Sequence, residues 1–136
     1  MRKIKFRAKA IGSGRWLYGD LVWTGSQRTE PHIIEDWSAD EDSATSVDEH
    51  TLGMNTGLFD KNHKEIFLGD VLAHDGKVIG HVVDGVRGYC FDVMYRKSFP
   101  EKSWSLYGVV KTDYQGDVEI VGNIYDNPEL VKEDEQ

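Results

Sequence analysis

Charged and apolar side chains alternate along the first ten residues of the chain. The two faces that this alternation creates are Lys3, Lys5, Arg7 and Lys9 on one side and Ile4, Phe6, Ala8 and Ala10 on the other. A period of two is typical of a half-buried β-strand. Glycines at 12 and 14 interrupt the pattern, and a second apolar run covers 16–23. We therefore predict a β-hairpin over 3–23, within an N-terminal hairpin lobe at 1–34.

Short apolar runs separated by turn residues fill the second half of the chain. Asp75-Gly76 lies between runs at 71–74 and 77–83, which is the pattern of a β-hairpin with a two-residue turn. Further strands are predicted at 89–95, 106–110 and 118–124. Strands that recur at intervals of about 8–12 residues predict a small barrel or sandwich. We therefore expect the region 51–125 to contain a small SH3-like or related β-barrel.

The C-terminus carries the signals of a short helix. Asn127 is a preferred N-cap residue, and Pro128 suits the first helical position because its missing N–H is not needed there. Residues 126–136 are therefore predicted to form a short C-terminal helix and tail. A length of 136 residues is that of one domain, so we expect 1–136 to be a single, mainly β domain.

Charge is distributed in blocks along the chain, whose net charge is −8. Residues 1–28 carry seven basic side chains and one acid, whereas residues 29–60 carry nine acids and no Lys or Arg. The acidic block includes 35–50, which has few apolar residues and is predicted to be an acidic surface loop. Blocks of opposite sign can steer two copies together. They can also be solvated faces, whose exposed ion pairs contribute about 0–1 kcal/mol each.

The basic face of the first predicted strand has two interpretations. Lysines along an exposed strand protect a sheet edge from pairing with another chain. The alternative is nucleic-acid binding, in which cations contact phosphates and nearby aromatic rings stack on bases. The residues concerned are Lys3, Lys5, Arg7 and Lys9, with Trp16, Tyr18 and Trp23. Because the net charge makes the average field repulsive to a polyanion, we expect no nucleic-acid partner.

Candidate catalytic and metal-binding residues are few. The five histidines do not pair at the i, i+4 spacing that two metal ligands on one helix face have. Cys90 lies between two aromatic residues of a predicted strand, where cysteine acts as a small apolar side chain. The chain also lacks the Gly-x-Ser-x-Gly elbow and the Gly-rich phosphate loop. We therefore expect no catalytic residue, no cofactor and no metal site, and we do not expect an enzyme.

Cysteine content and hydropathy indicate a reducing compartment without membrane contact. One cysteine excludes a disulfide framework. No apolar run approaches the roughly 20 residues that a spanning helix requires, and the N-terminus lacks the apolar stretch of a signal peptide. We therefore expect a cytoplasmic protein.

Three segments of the chain form a recognisable set. They are IKFRA at 4–8, TGLFDKN at 56–62 followed by KEI at 64–66 and GDV at 69–71, and VGNIYDNPEL at 121–130. In this order they resemble the YopX family of phage and prophage proteins, over nearly the whole chain. The resemblance implies a phage- or prophage-encoded cytoplasmic protein that forms a homo-oligomer. It carries over no catalytic residue.

Two positions depart from the family pattern. His63 stands at a turn position where the family usually has Gly, and Leu68 stands where it usually has Glu. Histidine is among the residues that tolerate a positive φ. We therefore expect the turn to be kept.

These observations lead to one leading hypothesis and two alternatives. The leading hypothesis is a non-enzymatic, self-associating phage or prophage protein that also has a host or phage protein as a partner. The first alternative is a nucleic-acid-binding module that uses the basic N-terminal strand. The second is an acidic mimic, whose negative surface occupies the nucleic-acid site of a host protein.

Overall fold

The computed structural model describes residues 5–35, 44–85, 91–95 and 103–131 of the chain. Strands account for 53% of these residues, which confirms the prediction of a mainly β protein. The chain divides into two compact units, Met1–Asn55 and Thr56–Gln136. The strands are β1 (Phe6–Lys9), β2 (Trp16–Thr24), β3 (Glu30–Ile34), β4 (Ala44–Ser46), β5 (Gly53–Phe59), β6 (Glu65–Phe67), β7 (Asp70–His74), β8 (Lys77–Asp84), β9 (Phe91–Tyr95), β10 (Ser103–Ser105) and β11 (Glu119–Asn123).

The first unit is built on antiparallel strands in the order β4-β3-β2-β1-β5. The predicted N-terminal hairpin is confirmed, since β1 and β2 pair with Ala8 opposite Leu17. Ala10, at the end of β1, also forms an isolated antiparallel bridge with Val47, just after β4. Its buried apolar core consists of Ala8, Ala10, Leu17, Ile33 and Val47.

β1 is a central strand of this sheet, so the interpretation of its lysines as protection for a sheet edge is wrong. The strand pairs with β2 on one side and with β5 on the other, where Phe6 lies opposite Met54. Alternation along a strand reports which side chains share a face of the sheet. It does not report which strands pair with β1 on either side, because one of those strands, β5, is distant in the sequence.

The predicted acidic loop at 35–50 is partly regular structure. Its central residues, 36–43, lie outside the described part of the chain. Ala44–Ser46 forms β4 and pairs with β3, so the loop prediction is wrong there. Val47, which is 1% exposed, holds the end of this segment in the core of the first unit.

The second unit contains an antiparallel sheet in the order β10-β9-β8-β7-β11, and the end of β5 pairs with β6. The predicted hairpin of β7 and β8 is confirmed. Its turn residues, Asp75 (φ 52°) and Gly76 (φ 79°), both have the left-handed conformation of a type I′ turn. The buried core of this unit consists of Ile66, Leu72, Ile79, Val82, Val93, Leu106, Val109, Val110 and Val118.

Within the described residues, the second sheet does not close into the predicted SH3-like barrel, and β10 and β11 are its outer strands. The strand predicted at 106–110 is wrong, because the chain is helical from 106 and continues as a π-helical segment at Gly108–Asp113. Leu106, Val109 and Val110 are all buried. Their i, i+3, i+4 spacing places them on one face of a helix. The segment therefore packs as a helix and supplies no strand to close the sheet.

The described C-terminal helix is a single 3-10 turn at Pro128–Leu130. Asn127 precedes it as predicted, but its side chain does not cap the turn. Instead, Asn127 Oδ1 accepts a hydrogen bond from Asn123 N–H at 3.2 Å. The last residues of the predicted helix and tail, 132–136, lie outside the described part of the chain.

Asp60 organises the turn between β5 and β6, and it is 4% exposed. Its Oδ1 accepts hydrogen bonds from Asn62 N–H at 2.8 Å and Lys64 N–H at 2.9 Å. Its Oδ2 accepts one from Ile120 N–H in β11 at 3.1 Å. One carboxylate therefore satisfies three backbone donors and joins the turn to β11. His63 has φ 62° in this turn, which confirms that the turn is kept despite the departure from Gly.

Replacing Asp60 should destabilise the second unit. We expect Asp60→Ala to lower the free energy of unfolding by about 2–4 kcal/mol, because backbone donors lose a charged acceptor. Chemical denaturation followed by fluorescence measures this change. The exposed Asp113 provides a matched control, and Asp113→Ala should change the free energy by less than about 0.5 kcal/mol. Equal effects of the two substitutions would contradict the bonding scheme.

His81 of β8 lies opposite Val71 of β7. Burial lowers the pKa of His81 below its usual value of 6.5, because the charged ring loses hydration. The unfolded chain therefore binds a proton at this position more readily than the folded chain does. Stability is consequently lost as the pH falls below 6.5 and towards the lowered pKa of the folded state.

Acidification should lower the free energy of unfolding of the wild-type protein. The same acidification should lower it less in His81→Gln, because glutamine does not bind a proton. Denaturation curves recorded between about pH 7.5 and about pH 5 measure this difference. Parallel pH profiles for the wild type and His81→Gln would show that burial of His81 does not contribute.

Candidate interaction surface

Arg7 and Lys9 lie at alternate positions of β1 and so share one face of the strand, and Lys5 directly precedes β1. Lys3 lies outside the described part of the chain. The pairing of β1 with β2 puts Trp16 and Tyr18 on the same face, opposite Lys9 and Arg7. Trp23 falls on the other face of β2, because side chains alternate along a strand. The predicted aromatic set is therefore divided between two faces.

Arg7 is buried. It is 5% exposed, and its guanidinium carbon lies 4.9 Å from the centre of a Trp16 ring. Lys9 Nζ lies 5.5 Å from the centre of a ring of the same residue. Cations within about 6 Å of an indole are attracted to its π face. The basic face is therefore packed against an aromatic side chain, and Arg7 does not form part of an open row of phosphate ligands.

A groove of about 560 Å³ lies where the β1–β2 hairpin meets the chain after β4. Its lining includes three buried residues, Ala10, Pro31 and Val47. Ala10 is 7% exposed and Val47 is 1% exposed. The volume is within the range of about 300–1,000 Å³ that is typical of ligand sites. The groove therefore has the size and the apolar floor of a binding surface.

Ile11 borders this groove and is 64% exposed. We call residues 10–15, which connect β1 and β2, the hairpin tip. The Ile11 N–H donates to Ser46 O at 3.0 Å, and the Ala10 N–H donates to Arg15 O at 2.9 Å. A third bond, from Gly14 N–H to Ala10 O at 3.0 Å, closes the turn. Backbone hydrogen bonds therefore hold the exposed isoleucine in place.

One part of the groove lining is acidic, and its carboxylates belong to Glu30, Asp48 and Glu49. Asp48 Oδ1 accepts a hydrogen bond from His50 N–H at 3.0 Å, which begins a 3-10 turn. Thr51 Oγ1 donates to Asp48 O at 2.7 Å and accepts from Lys9 N–H at 2.9 Å. The acidic lining is thus attached to β1 by hydrogen bonds.

Arg15 carries an exposed positive charge on the hairpin tip. Its side chain is 70% exposed, and Arg15 Nη2 lies 3.9 Å from Glu35 Oε1. Exposed ion pairs of this kind contribute about 0–1 kcal/mol. Lys9 adds a second cation to the groove lining. The hairpin tip and the acidic lining therefore bring charges of opposite sign to the same surface.

A second groove, of about 460 Å³, lies in the second unit. Phe59 borders it and is 51% exposed, and buried Val110 contributes to its lining. Lys61 and Lys111 also line this groove. Lys61 Nζ lies 3.7 Å from Glu119 Oε2, so one of these cations already has a carboxylate beside it. The charge of this groove is therefore mixed, and it does not select a ligand by sign.

Histidine and cysteine, the residue types that could bind a metal or act as a nucleophile, do not form a site in the described residues. His74 Nδ1 lies 2.8 Å from Asp117 O, and the His74 ring lies 4.6 Å from that of Tyr114. No three His, Cys, Asp or Glu residues in the described ranges are arranged to hold a metal ion. Cys90 lies outside these ranges. Among the residues that the structure describes, no helix combines the length and apolarity needed to cross a membrane.

These features define an antiparallel β protein of two units, with an apolar-floored groove in the first. The family model described as YopX protein matches residues 5–132. The chain therefore belongs to the YopX family, which confirms the resemblance seen in its motifs.

The structural comparison supports the same fold. The crystal structure of protein EF1440 from Enterococcus faecalis is similar to this chain with a TM-score of 0.52 and 21% sequence identity. The alignment covers 97% of this chain and 100% of that chain. At this level of identity the likeness shows a shared fold. A comparison with curated proteins finds no match.

Sequence reasoning did not identify the groove, because its lining comes from three separate stretches, 9–14, 29–31 and 46–50. One signal was present in the sequence. Ile11 occupies the next position in the alternating basic series, where the pattern calls for a polar residue. The sequence therefore shows an apolar residue on the polar face of the predicted strand, directly before a turn.

Binding of single-stranded nucleic acid through the basic face is not expected, because Arg7 is packed against an indole. A labelled oligonucleotide of about 16 nucleotides should show no retardation at about 50 mM salt. Retardation that is lost when Lys5 and Lys9 are both changed to Gln would contradict this expectation. The matched control changes Lys61 and Lys111 to Gln, which removes the same charge from the second unit.

Proposed function

We propose that this YopX-family protein is a phage- or prophage-encoded interaction protein that self-associates in the cytoplasm of its bacterial host and acts without catalysis. A phage or host protein is its further partner. The observation that carries this proposal is the position of Ile11. This large apolar side chain is 64% exposed on a hydrogen-bonded hairpin tip, beside a groove with an apolar floor.

The energetics of Ile11 favour association. Complete burial of a fully exposed isoleucine side chain contributes about 1.5–3 kcal/mol, and Ile11, which is 64% exposed, gains the part that corresponds to its exposed area. The hairpin tip is already ordered by its backbone hydrogen bonds, so a partner that covers Ile11 loses little further conformational freedom in the tip. Apolar side chains that enter preformed pockets are typical of the residues that contribute most to binding energy. The tip is therefore suited to a protein contact.

The buried carboxylates of the second unit support a non-enzymatic function. Asp60 accepts three backbone hydrogen bonds, and Asp70 Oδ2 accepts one from Phe67 N–H at 2.7 Å. Asp70 is 1% exposed. A general acid or base has to come within hydrogen-bond distance of a substrate proton. These two carboxylates contact backbone N–H groups instead, so their contribution is to the fold.

The two alternative functions have less support. A nucleic-acid-binding module would have to use the basic strand with Arg7 buried against Trp16. The acidic mimic depends on the net charge of −8, and the most acidic stretch, 36–43, lies outside the described residues. Nucleic-acid binding and acidic mimicry are therefore predictions from the sequence alone. Protein–protein association is the function that a specific surface of the structure supports.

Light scattering tests the self-association. At micromolar concentration, the full chain should have a mass above that of one chain, at both low and moderate ionic strength, because the proposed contact has an apolar centre. A dilution series provides the control, since a specific assembly dissociates reversibly and an aggregate does not. A monomer under both salt conditions would contradict the proposal.

A further inference from the structure

We infer that two copies of this chain associate through the hairpin tip, with Ile11 of each copy seated in the groove of the other. This inference rests on the proposed self-association and specifies its contact surface. The occupant of the groove is a second copy of the same tip.

The tip and the groove meet the geometric requirement of a two-fold contact. In such a contact the same patch serves on both copies, so it has to be complementary to itself. Ile11 and Gly12 of the tip line the groove, and so do the buried residues Ala10 and Val47. The projecting apolar side chain and the apolar floor are therefore neighbours on one patch. A partner that inserts its own Ile11 receives this Ile11 in return.

The charges on the patch are also complementary to those on a second copy of the same patch. Arg15 is exposed on the tip, and Glu49 and Asp48 are exposed residues of the acidic lining. Because like charges repel and opposite charges attract across an interface, a tip carrying a cation is steered towards an acidic groove. The two-fold arrangement makes this contact twice. Charge complementarity therefore favours a second copy over an acidic partner in this groove.

Both sides of the contact are ordered before association. The tip is closed by the bond from Gly14 N–H to Ala10 O, and the Ile11 N–H is bonded to Ser46 O. The acidic lining is held to β1 by the contact between Thr51 Oγ1 and Lys9 N–H. Association therefore requires no rearrangement of the backbone on either side.

The central experiment compares Ile11→Ser with a matched control. Tyr107 has the same exposed fraction, 64%, but belongs to the second unit, so Tyr107→Ser removes an equally exposed large side chain from another surface. Analytical ultracentrifugation of the full chain measures the dissociation constant of each variant. We expect Ile11→Ser to raise it at least about tenfold and Tyr107→Ser to leave it unchanged. Thermal melting monitored by circular dichroism should show that both variants fold.

A charge exchange tests the pairing across the two copies. Arg15→Glu and Glu49→Arg should each weaken association, and the double variant should restore it, because the exchanged charges attract again. Both positions are exposed, so the substitutions leave the core intact. Restoration in the double variant is not explained by the contact between Arg15 and Glu35, since Glu35 is unchanged.

The outcomes separate this inference from the proposed function. If the wild-type chain is a monomer, both are overturned. If the wild type associates and folded Ile11→Ser associates equally well, the proposed function stands and this contact surface is wrong. If Glu49→Arg dissociates the assembly but Ile11→Ser does not, the groove holds a different segment, and the inference is overturned. Loss in Ile11→Ser together with rescue in the charge exchange supports it.

Discussion

Backbone pairing between the end of β1 and the chain after β4 is the constraint on which the candidate surface depends. The bridge between Ala10 and Val47 and the hydrogen bond from Asp48 N–H to Lys9 O at 2.9 Å join segments that are distant in sequence. This pairing places Val47 in the core of the first unit and so builds the floor of the groove. It also holds the hairpin tip in position. Without it, Ile11 would be an exposed side chain on a free turn.

In the same unit, burial changes the role of a basic side chain of β1. In the sequence, Arg7 resembles a phosphate ligand. In the structure it lies against Trp16 and contributes to packing. The surface that then stands out is the junction of the hairpin tip, with its exposed Ile11, and the groove, with its partly acidic lining. This junction is the surface on which the proposed self-association rests.

Elements with local causes were predictable from the sequence. The Asp75-Gly76 turn has positive φ at both residues, as its residue types indicate, and the N-terminal hairpin follows from alternation and glycine. The segment at 106–110 was not predictable in this way. A short apolar run fits both a strand and a helix, and the packing of Leu106, Val109 and Val110 in the core decided for the helix.

The sequence by itself determined the fold class, the hairpins and the family, because alternation, turn residues and motifs are local properties of the chain. Only the tertiary structure decided that β1 is central, that Arg7 is buried and that three separate stretches form one groove. The physical reason is that strand neighbours and side-chain burial depend on which distant segments exclude water from one another. Ile11 combines a property determined by the sequence with one decided by the tertiary structure. Its apolar character at a polar position was visible in the sequence, and its rigid exposure beside an apolar groove was not.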